Sequence, residues 1–221
     1  MNYLTHQLLN SEELEIIRKN LNKEKLLWED GKQTAGKLAA KVKNNLQLRR
    51  DSDLSKKYSG LIIKKILSND LIKSFALPKK VHGTIFSKST SGMEYGRHID
   101  NPFMPSGRAD LSFTIFLNCK DEYEGAALSI ESFNSEKNFK LDAGEIIIYP
   151  STFLHSVEEV IAGERLVFIG WIESYVKSIE EREYLFDLDT AARSLLTKYG
   201  RSDEVDLIFK SYSNLLRRLG S

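Results

Sequence analysis

The chain has 221 residues, 41% of them hydrophobic and 10% aromatic, enough for one large domain or a domain with a helical appendage. Lys and Arg number 32 against 31 Asp and Glu, so a net charge of +1 creates no global field favouring nucleic acid or an anionic membrane. The single cysteine, Cys119, excludes an internal disulfide framework and a cysteine-rich zinc site. Its setting in "LSFTIFLNCK" leads one to expect a small buried thiol. No 18-residue apolar run exists, and "MNYLTHQLLNSEELE" lacks the charged-then-apolar layout of a signal peptide, so a soluble cytoplasmic protein is expected.

In chain order, "NSEELEIIRKNL" begins with Asn10 and places Glu13 three residues on, a capping box, followed by Leu14, Ile17 and Leu21 on one helical face. The basic run "GKLAAKVKNNLQLRR" (36–50) reads as a solvated face. "DLSKKYSGLIIKKIL" repeats the helical spacing through Leu54, Tyr58, Leu61, Ile62 and Ile66, and a short helix around "NDLIKSFAL" ends before Pro78. From Pro78 to about Tyr175 the character changes. "KVHGTIFSKS", "ADLSFTIFLN", "AALSIES", "NFKLDAG", "EIIIYP", "LHSVEEVI" and "ERLVFIGWIES" are short, rich in β-branched and aromatic residues, and divided by Gly, Asn, Asp and Pro. Seven or eight such strands predict a sandwich or double-sheet jelly roll, an α+β fold with a mainly β core. After Ser178 helices return: one runs to Gly200, and "SDEVDLIFKSYSNLLRRL" carries Val205, Ile208, Tyr212, Leu215 and Leu216 on one stripe. That stripe is expected to pack on the sheet or on a second subunit, making a homodimer through the C-terminal helices an open option. The organisation expected is therefore 1–77 as helical and strand support, 78–177 as the jelly-roll core and 178–221 as C-terminal helices.

Four histidines are present. His6 and His82 read as structural or surface residues. His98 differs because Asp100, two residues on, shares its face if the segment is extended. A bare His-x-Asp occurs often by chance and needs a third partner. His155 begins a later strand, and in a jelly roll an early and a late strand can lie side by side. Two histidines and a carboxylate on one face of a metal leave the opposite face open, the arrangement of mononuclear non-haem iron(II) that activates oxygen. Arg165, on the strand returning after "AG", can turn inward with Val167 and Ile169 and offer a planar, permanently charged fork to the far carboxylate of a 2-oxo acid. Zinc is the competitor for the same donor set. The helix-borne histidine pair of zinc proteases is absent, and no residue presents itself as the hydrolytic base, so iron fits better.

"SGMEYGRHIDN", "RADLSFTIFLN", "LDAGEIIIYPSTFLHSVEEVIAGER" and "FIGWIES" resemble the bacterial PKHD-type hydroxylases, members of the iron(II)- and 2-oxoglutarate-dependent dioxygenases related to prolyl 4-hydroxylases. "WEDGKQTAGKLAAKVKNNLQL" and "REYLFDLDTA" extend the resemblance over most of the chain. It implies a double-stranded β-helix core, Fe(2+) on His98, Asp100 and His155, Arg165 on the distal carboxylate of 2-oxoglutarate, O2 as oxidant, and ascorbate as a further candidate cofactor. The implied substrate is a prolyl residue in a peptide or protein, with a free amino acid or small metabolite as the alternative. A non-catalytic jelly-roll binding module is the rival from another class. Two departures stand out. "EGAAL", with Ala126 and Ala127, replaces the family's usual Gly-Gly-Glu-Leu, and Phe116 stands near a position where many prolyl hydroxylases place a tyrosine. Tyr149 or Tyr95 would then supply the missing hydroxyl to Arg165. The loop "NPFMPSGR" directly after the ligand pair is expected to border the site, with Arg97 and Arg108 able to meet an acidic substrate.

Overall fold

Asn10 and Glu13 close the expected capping box: the Asn10 amide donates to Glu13 Oε2 at 3.0 Å, and the Glu13 amide donates to Asn10 Oδ1 at 2.9 Å. This is a computed structural model, and it describes residues 3–23, 25–34, 39–132 and 135–221. Positions 36–38 of the basic run lie outside the described residues. The chain begins with β1 (Leu4–Gln7), α1 (Ser11–Lys23), β2 (Trp28–Asp30), β3 (Leu46–Leu48), α2 (Asp53–Ser68) and α3 (Asp70–Ala76). The central part runs through β4 (Pro78–Thr90), β5 (Tyr95–His98), β6 (Phe103–Met104), β7 (Gly107–Arg108), β8 (Leu111–Phe116), β9 (Tyr123–Gly125) and β10 (Leu128–Ser132). It ends with β11 (Ser135–Phe139), β12 (Glu145–Pro150), β13 (Leu154–Val157) and β14 (Val160–Ser174), then α4 (Ile179–Tyr199) and α5 (Asp203–Leu219).

Two antiparallel sheets form the core. The large one has the order β1-β12-β8-β14-β4-β3-β2, with β9 also on β14; the small one has the order β11-β10-β13-β5. Alternation along three strands of the large sheet decides what faces where. Ile146 and Ile148 of β12, Phe113 and Ile115 of β8, and Leu166, Phe168 and Ile172 of β14 pack with Leu14, Ile17, Leu21, Tyr58, Ile62, Ile66, Ile72 and Phe186 from α1 to α4. The intervening Ile147, Tyr149, Phe116 and Val167 pack instead with Leu128, Ile130 and Phe139 of the small sheet. Both faces are buried, which is why "EIIIYP" is apolar without a break. Each fully buried side chain here stabilises by about 1.5–3 kcal/mol relative to exposure.

The helix boundaries follow their caps. Asn69 ends α2 and begins α3, its Oδ1 accepting from the Ile72 amide at 3.0 Å, and Leu77 closes α3 in the left-handed region at φ 43°. Gly144, at φ +88°, ties the N-terminal segment to the sheet: its amide donates to Phe116 O, and its carbonyl accepts from the amides of Leu8 and Leu9. A Cβ there would stand 2.3 Å from Leu9 O. Gly144→Ala is expected to cost roughly 1–2 kcal/mol from the left-handed backbone alone, lowering the melting midpoint by about 2–8 °C, readable by circular dichroism.

Several expectations are corrected. Cys119 is exposed, because β8 ends three residues earlier, at Phe116, and the chain enters a short 3₁₀ turn over Lys120–Glu122. Leu61 is 40% exposed on the outer side of α2. In "NFKLDAG" the strand ends at Phe139, and pairing with β10 begins at Ser135. The strands β1, β2 and β3 join the two edges of the large sheet, and the sequence patterns gave no hint of their pairing. The α5 stripe packs partly on its own chain, with Tyr212 and Leu216 against Leu77, Val176 and Leu185. Leu215 remains 40% exposed. Among the described residues no helix is long and apolar enough to cross a membrane.

Candidate active site

His98 ends β5 and His155 stands directly opposite it in the β5–β13 register. Asp100 follows two residues after His98, so the three side chains converge from adjacent strands. One ligand atom from each lies within 4.8 Å of the others, and His155 Nε2 is 3.7 Å from Asp100 Oδ2. Hydrogen bonds fix the proton positions. His98 Nδ1 donates to Gly96 O at 2.8 Å and His155 Nδ1 donates to Phe153 O at 3.1 Å, since a carbonyl only accepts. Each Nε2 is thereby left with a lone pair facing the cluster. Burial, reinforced by the neighbouring His155, pushes His98 down to about 4, so its imidazole is neutral at pH 7. Asp100 Oδ2 accepts from Ser112 Oγ at 2.6 Å, and Ser112 is linked to Ser151 at 2.7 Å. Three acceptors thus converge with no donor between them, an arrangement that a cation resolves.

The cluster opens on a cavity of about 350 Å³ between the sheets. Arg165 of β14 enters it from the large sheet, with Val167 and Ile169 on the same parity. It is 4% exposed, its Nε has no hydrogen-bond partner, and its guanidinium carbon lies 5.4 Å from the centre of the Phe116 ring. Burial pulls its pKa below the usual range. Asn118 holds the backbone on both sides: its Nδ2 donates to Glu164 O and its Oδ1 accepts from the Leu166 amide. A buried fork with unspent donors asks for a carboxylate.

The hydroxyls near Arg165 are those of Tyr123 and Tyr149. Tyr123 of β9 steadies the guanidinium charge, and Tyr149 acts in the same sense. Tyr149 also lies edge-on to His155, with ring centres 5.4 Å apart, and burial holds its phenol well above the usual range. Tyr95 is placed differently: it stacks on His98 at 3.7 Å, and burial together with the Asp100 charge raises its phenol. Ala126, in the departing "EGAAL" segment, takes φ 55° beside Gly125, a conformation that favours glycine, and is fully buried.

Arg97 and Arg108 do not meet the cavity. Arg97 pairs with Glu131, and Arg108 is tied to Asp110 at 2.8 Å and to Ser174 O. His82 is buried and structural: Nε2 donates to Arg108 O at 2.8 Å and Nδ1 meets Ser106 Oγ at 2.9 Å, anchoring the β6–β7 hairpin at the cavity mouth. His6 bonds Asn69 at 3.0 Å, away from the site. Sequence reasoning missed Ser112, Asn118, Tyr123 and Lys43. Lys43 is 5% exposed, its ammonium is 5.1 Å from the centre of the Tyr95 ring, and burial with Arg50 nearby pushes it down to about 8.

Residues 84–173 match the model of the 2OG-Fe(II) oxygenase superfamily, and residues 180–220 match that of the PKHD-type hydroxylase C-terminal domain. A PKHD-type hydroxylase from Prochlorococcus marinus strain MIT 9215 is 73% identical over 220 residues, covering 100% of both chains. The chain belongs to the PKHD-type hydroxylases. Another PKHD-type hydroxylase, from P. marinus strain NATL1A, is 57% identical over 221 residues, again covering 100% of both chains. Among solved structures, a Pseudomonas putida prolyl-4-hydroxylase superposes with a TM-score of 0.58 at 16% identity, covering 78% of this chain and 92% of that one. A prolyl hydroxylase from Trichoplax adhaerens, in complex with a hypoxia inducible factor peptide fragment, gives 0.57 at 15% identity, covering 83% and 86%. These likenesses show the jelly-roll fold. As a PKHD-type hydroxylase with a 2OG-Fe(II) oxygenase domain, the protein is a dioxygenase of the class that uses Fe(2+), 2-oxoglutarate and O2.

Proposed function

We propose that His98, Asp100 and His155 hold the iron(II), that Arg165 binds the distal carboxylate of 2-oxoglutarate, and that the substrate is a prolyl residue in a peptide or protein. The observation that carries this reading is the convergence of three acceptors, two of them imidazole nitrogens freed by carbonyl-bonded Nδ1–H groups, on the cavity that Arg165 enters. When bound, the metal supplies the redox chemistry by which 2-oxoglutarate and O2 become succinate and CO2 while one oxygen atom enters a substrate C–H bond. The chain's own residues bind and orient. Gly96 O and Phe153 O fix the two imidazoles, Ser112 fixes Asp100, and Asn118 fixes the strand around Arg165. Tyr149 and Val167 help to exclude water from the inner wall. The mouth is apolar, with Ile99 53% and Phe103 76% exposed, and suits a pyrrolidine ring in an extended peptide. The Trichoplax neighbour's bound peptide supports a peptide as substrate.

The test is an anaerobic titration of metal-free protein with iron(II) and 2-oxoglutarate, followed by the visible charge-transfer band of the chelate. The band is expected in the wild type and absent in His155→Ala. A wild type that forms no band sinks the reading. Proline-containing peptides screened for the gain of one oxygen atom by mass then test the substrate. Ser112→Ala is expected to weaken iron(II) binding by about 10- to 100-fold, as outer hydrogen-bond partners of metal ligands do. Competition with a metal-binding dye measures this.

A further inference from the structure

Every residue of α4 from Arg193 to Tyr199 is exposed. The inner face of the helix is spent on its own chain: Phe186 meets Phe75 edge-on at 5.6 Å, Asp189 accepts from Ser74 Oγ at 2.6 Å, and Leu185 packs with Tyr212 and Leu216 of α5. An outer face that met only water would carry polar residues. That of α4 instead carries Tyr184 at 68% exposure, Leu195 at 37% and Tyr199 at 79%, with Leu188 half-buried and Ala191 exposed between them. Spacings of three and four keep these side chains on one stripe about 22 Å long. The stripe reads the same in both directions. About the midpoint between Ala191 and Ala192, Tyr184 mirrors Tyr199 and Leu188 mirrors Leu195. Two copies related by a twofold axis through that point, with their α4 helices antiparallel, set tyrosine against tyrosine and leucine against leucine, an isologous contact. The charges obey the same symmetry. Asp187 and Lys198 are exposed and lie three turns apart along one edge of the stripe. The twofold axis brings Asp187 of each copy within two positions of Lys198 of the other.

We propose that the outer stripe of α4 is a homodimer interface, in which two copies of this chain pair their α4 helices antiparallel. The tyrosines and leucines supply the affinity, and the two Asp187–Lys198 pairs, being exposed, set the direction of pairing more than its strength. The α5 stripe expected to serve a second subunit is partly taken up within the chain, through Tyr212 and Leu216. One helix face is smaller than the roughly 800 Å² that each partner of a tight complex buries, so the dissociation constant is expected at about 10–100 μM. None of the stripe residues lines the cavity, so both copies keep their cavities open.

Sedimentation equilibrium of the full chain, from about 1 to 500 μM, reads the assembly. The average mass is expected to climb from monomer towards dimer across that range. Leu195→Glu meets the interface twice and is expected to weaken it at least about tenfold, since each copy would bury an unpaired charge. Asp187→Lys and Lys198→Glu are each expected to weaken self-association by about three- to tenfold, because both pairs then carry like charges. An equal mixture of these two variants makes both pairs opposite in sign again and is expected to recover the wild-type constant. A wild type that stays monomeric throughout overturns the interface, and that result needs no variant to fold. A dimer that Leu195→Glu leaves intact overturns it as well, placing the contact on another surface. A mixture that associates no better than either variant alone overturns the antiparallel pairing.

Discussion

Arg165→Met is expected to weaken 2-oxoglutarate binding by roughly 30- to 5,000-fold, the equivalent of about 2–5 kcal/mol for removing one partner of a buried, hydrogen-bonded charge pair. Iron(II) binding should survive, because Arg165 belongs to a different sheet from His98 and His155. The metal-free variant should also be more stable than the wild type. At 4% exposure, with Nε unpartnered and Phe116 rather than a carboxylate beside it, the guanidinium is a buried charge that the fold alone does not compensate. Replacing buried ions with apolar side chains of similar volume is neutral or stabilising by roughly 1–4 kcal/mol. Loss of cosubstrate together with a gain in stability is the mark of a residue kept for ligand binding. The chelate band midpoint reads the first effect and denaturant unfolding the second. Unchanged 2-oxoglutarate affinity would place the distal carboxylate elsewhere.

The same parity made Arg165 legible in the sequence. "ERLVFIGWIES" alternates on a strand buried on both faces, so placing Val167 and Ile169 inward places Arg165 with them. The His98 and Asp100 pair was legible because extended residues two apart share a face, and His155 needed only the side-by-side strands that a jelly roll supplies. Ser112, Asn118 and Tyr123 were not. Their roles depend on which strand lies opposite, and a serine inside "DLSFTIF" carries no signal of the carboxylate it will meet. The three-residue strands β2 and β3 are too short to show a period; β3 pairs with β4 by tertiary contact and β2 pairs with β3. Cys119 failed for a related reason: strand-like composition continued past the point where the chain turned out to solvent. Lys43 was hidden most deeply. In a basic run, one lysine looks like its neighbours, yet Lys41 is exposed while Lys43 is folded inward by its bridge to Tyr95.

Lys43→Met is therefore expected to stabilise the metal-free protein near neutral pH by up to roughly 3 kcal/mol, a difference that vanishes in alkali. The sign follows from the direction of the shift. Burial, and then Arg50, hold the folded-state ammonium down to about 8, against 10.5 for an ordinary lysine. Below pH 8 the lysine is charged in both states, and the folded state bears the full cost of holding it inside. Between pH 8 and 10.5 the folded lysine is neutral while the unfolded one still binds its proton, so wild-type stability recovers as pH rises. Above that window neither state is charged and the cost is gone. Methionine keeps much of the length and volume without the charge. Unfolding free energies for both proteins at pH 7 and pH 10 measure the gap and its closure. Equal stability at pH 7, or a gap persisting at pH 10, would show that the ammonium is compensated within the fold. A gap that closes would show that the cost lies in holding the charged ammonium inside, as burial and Arg50 dictate.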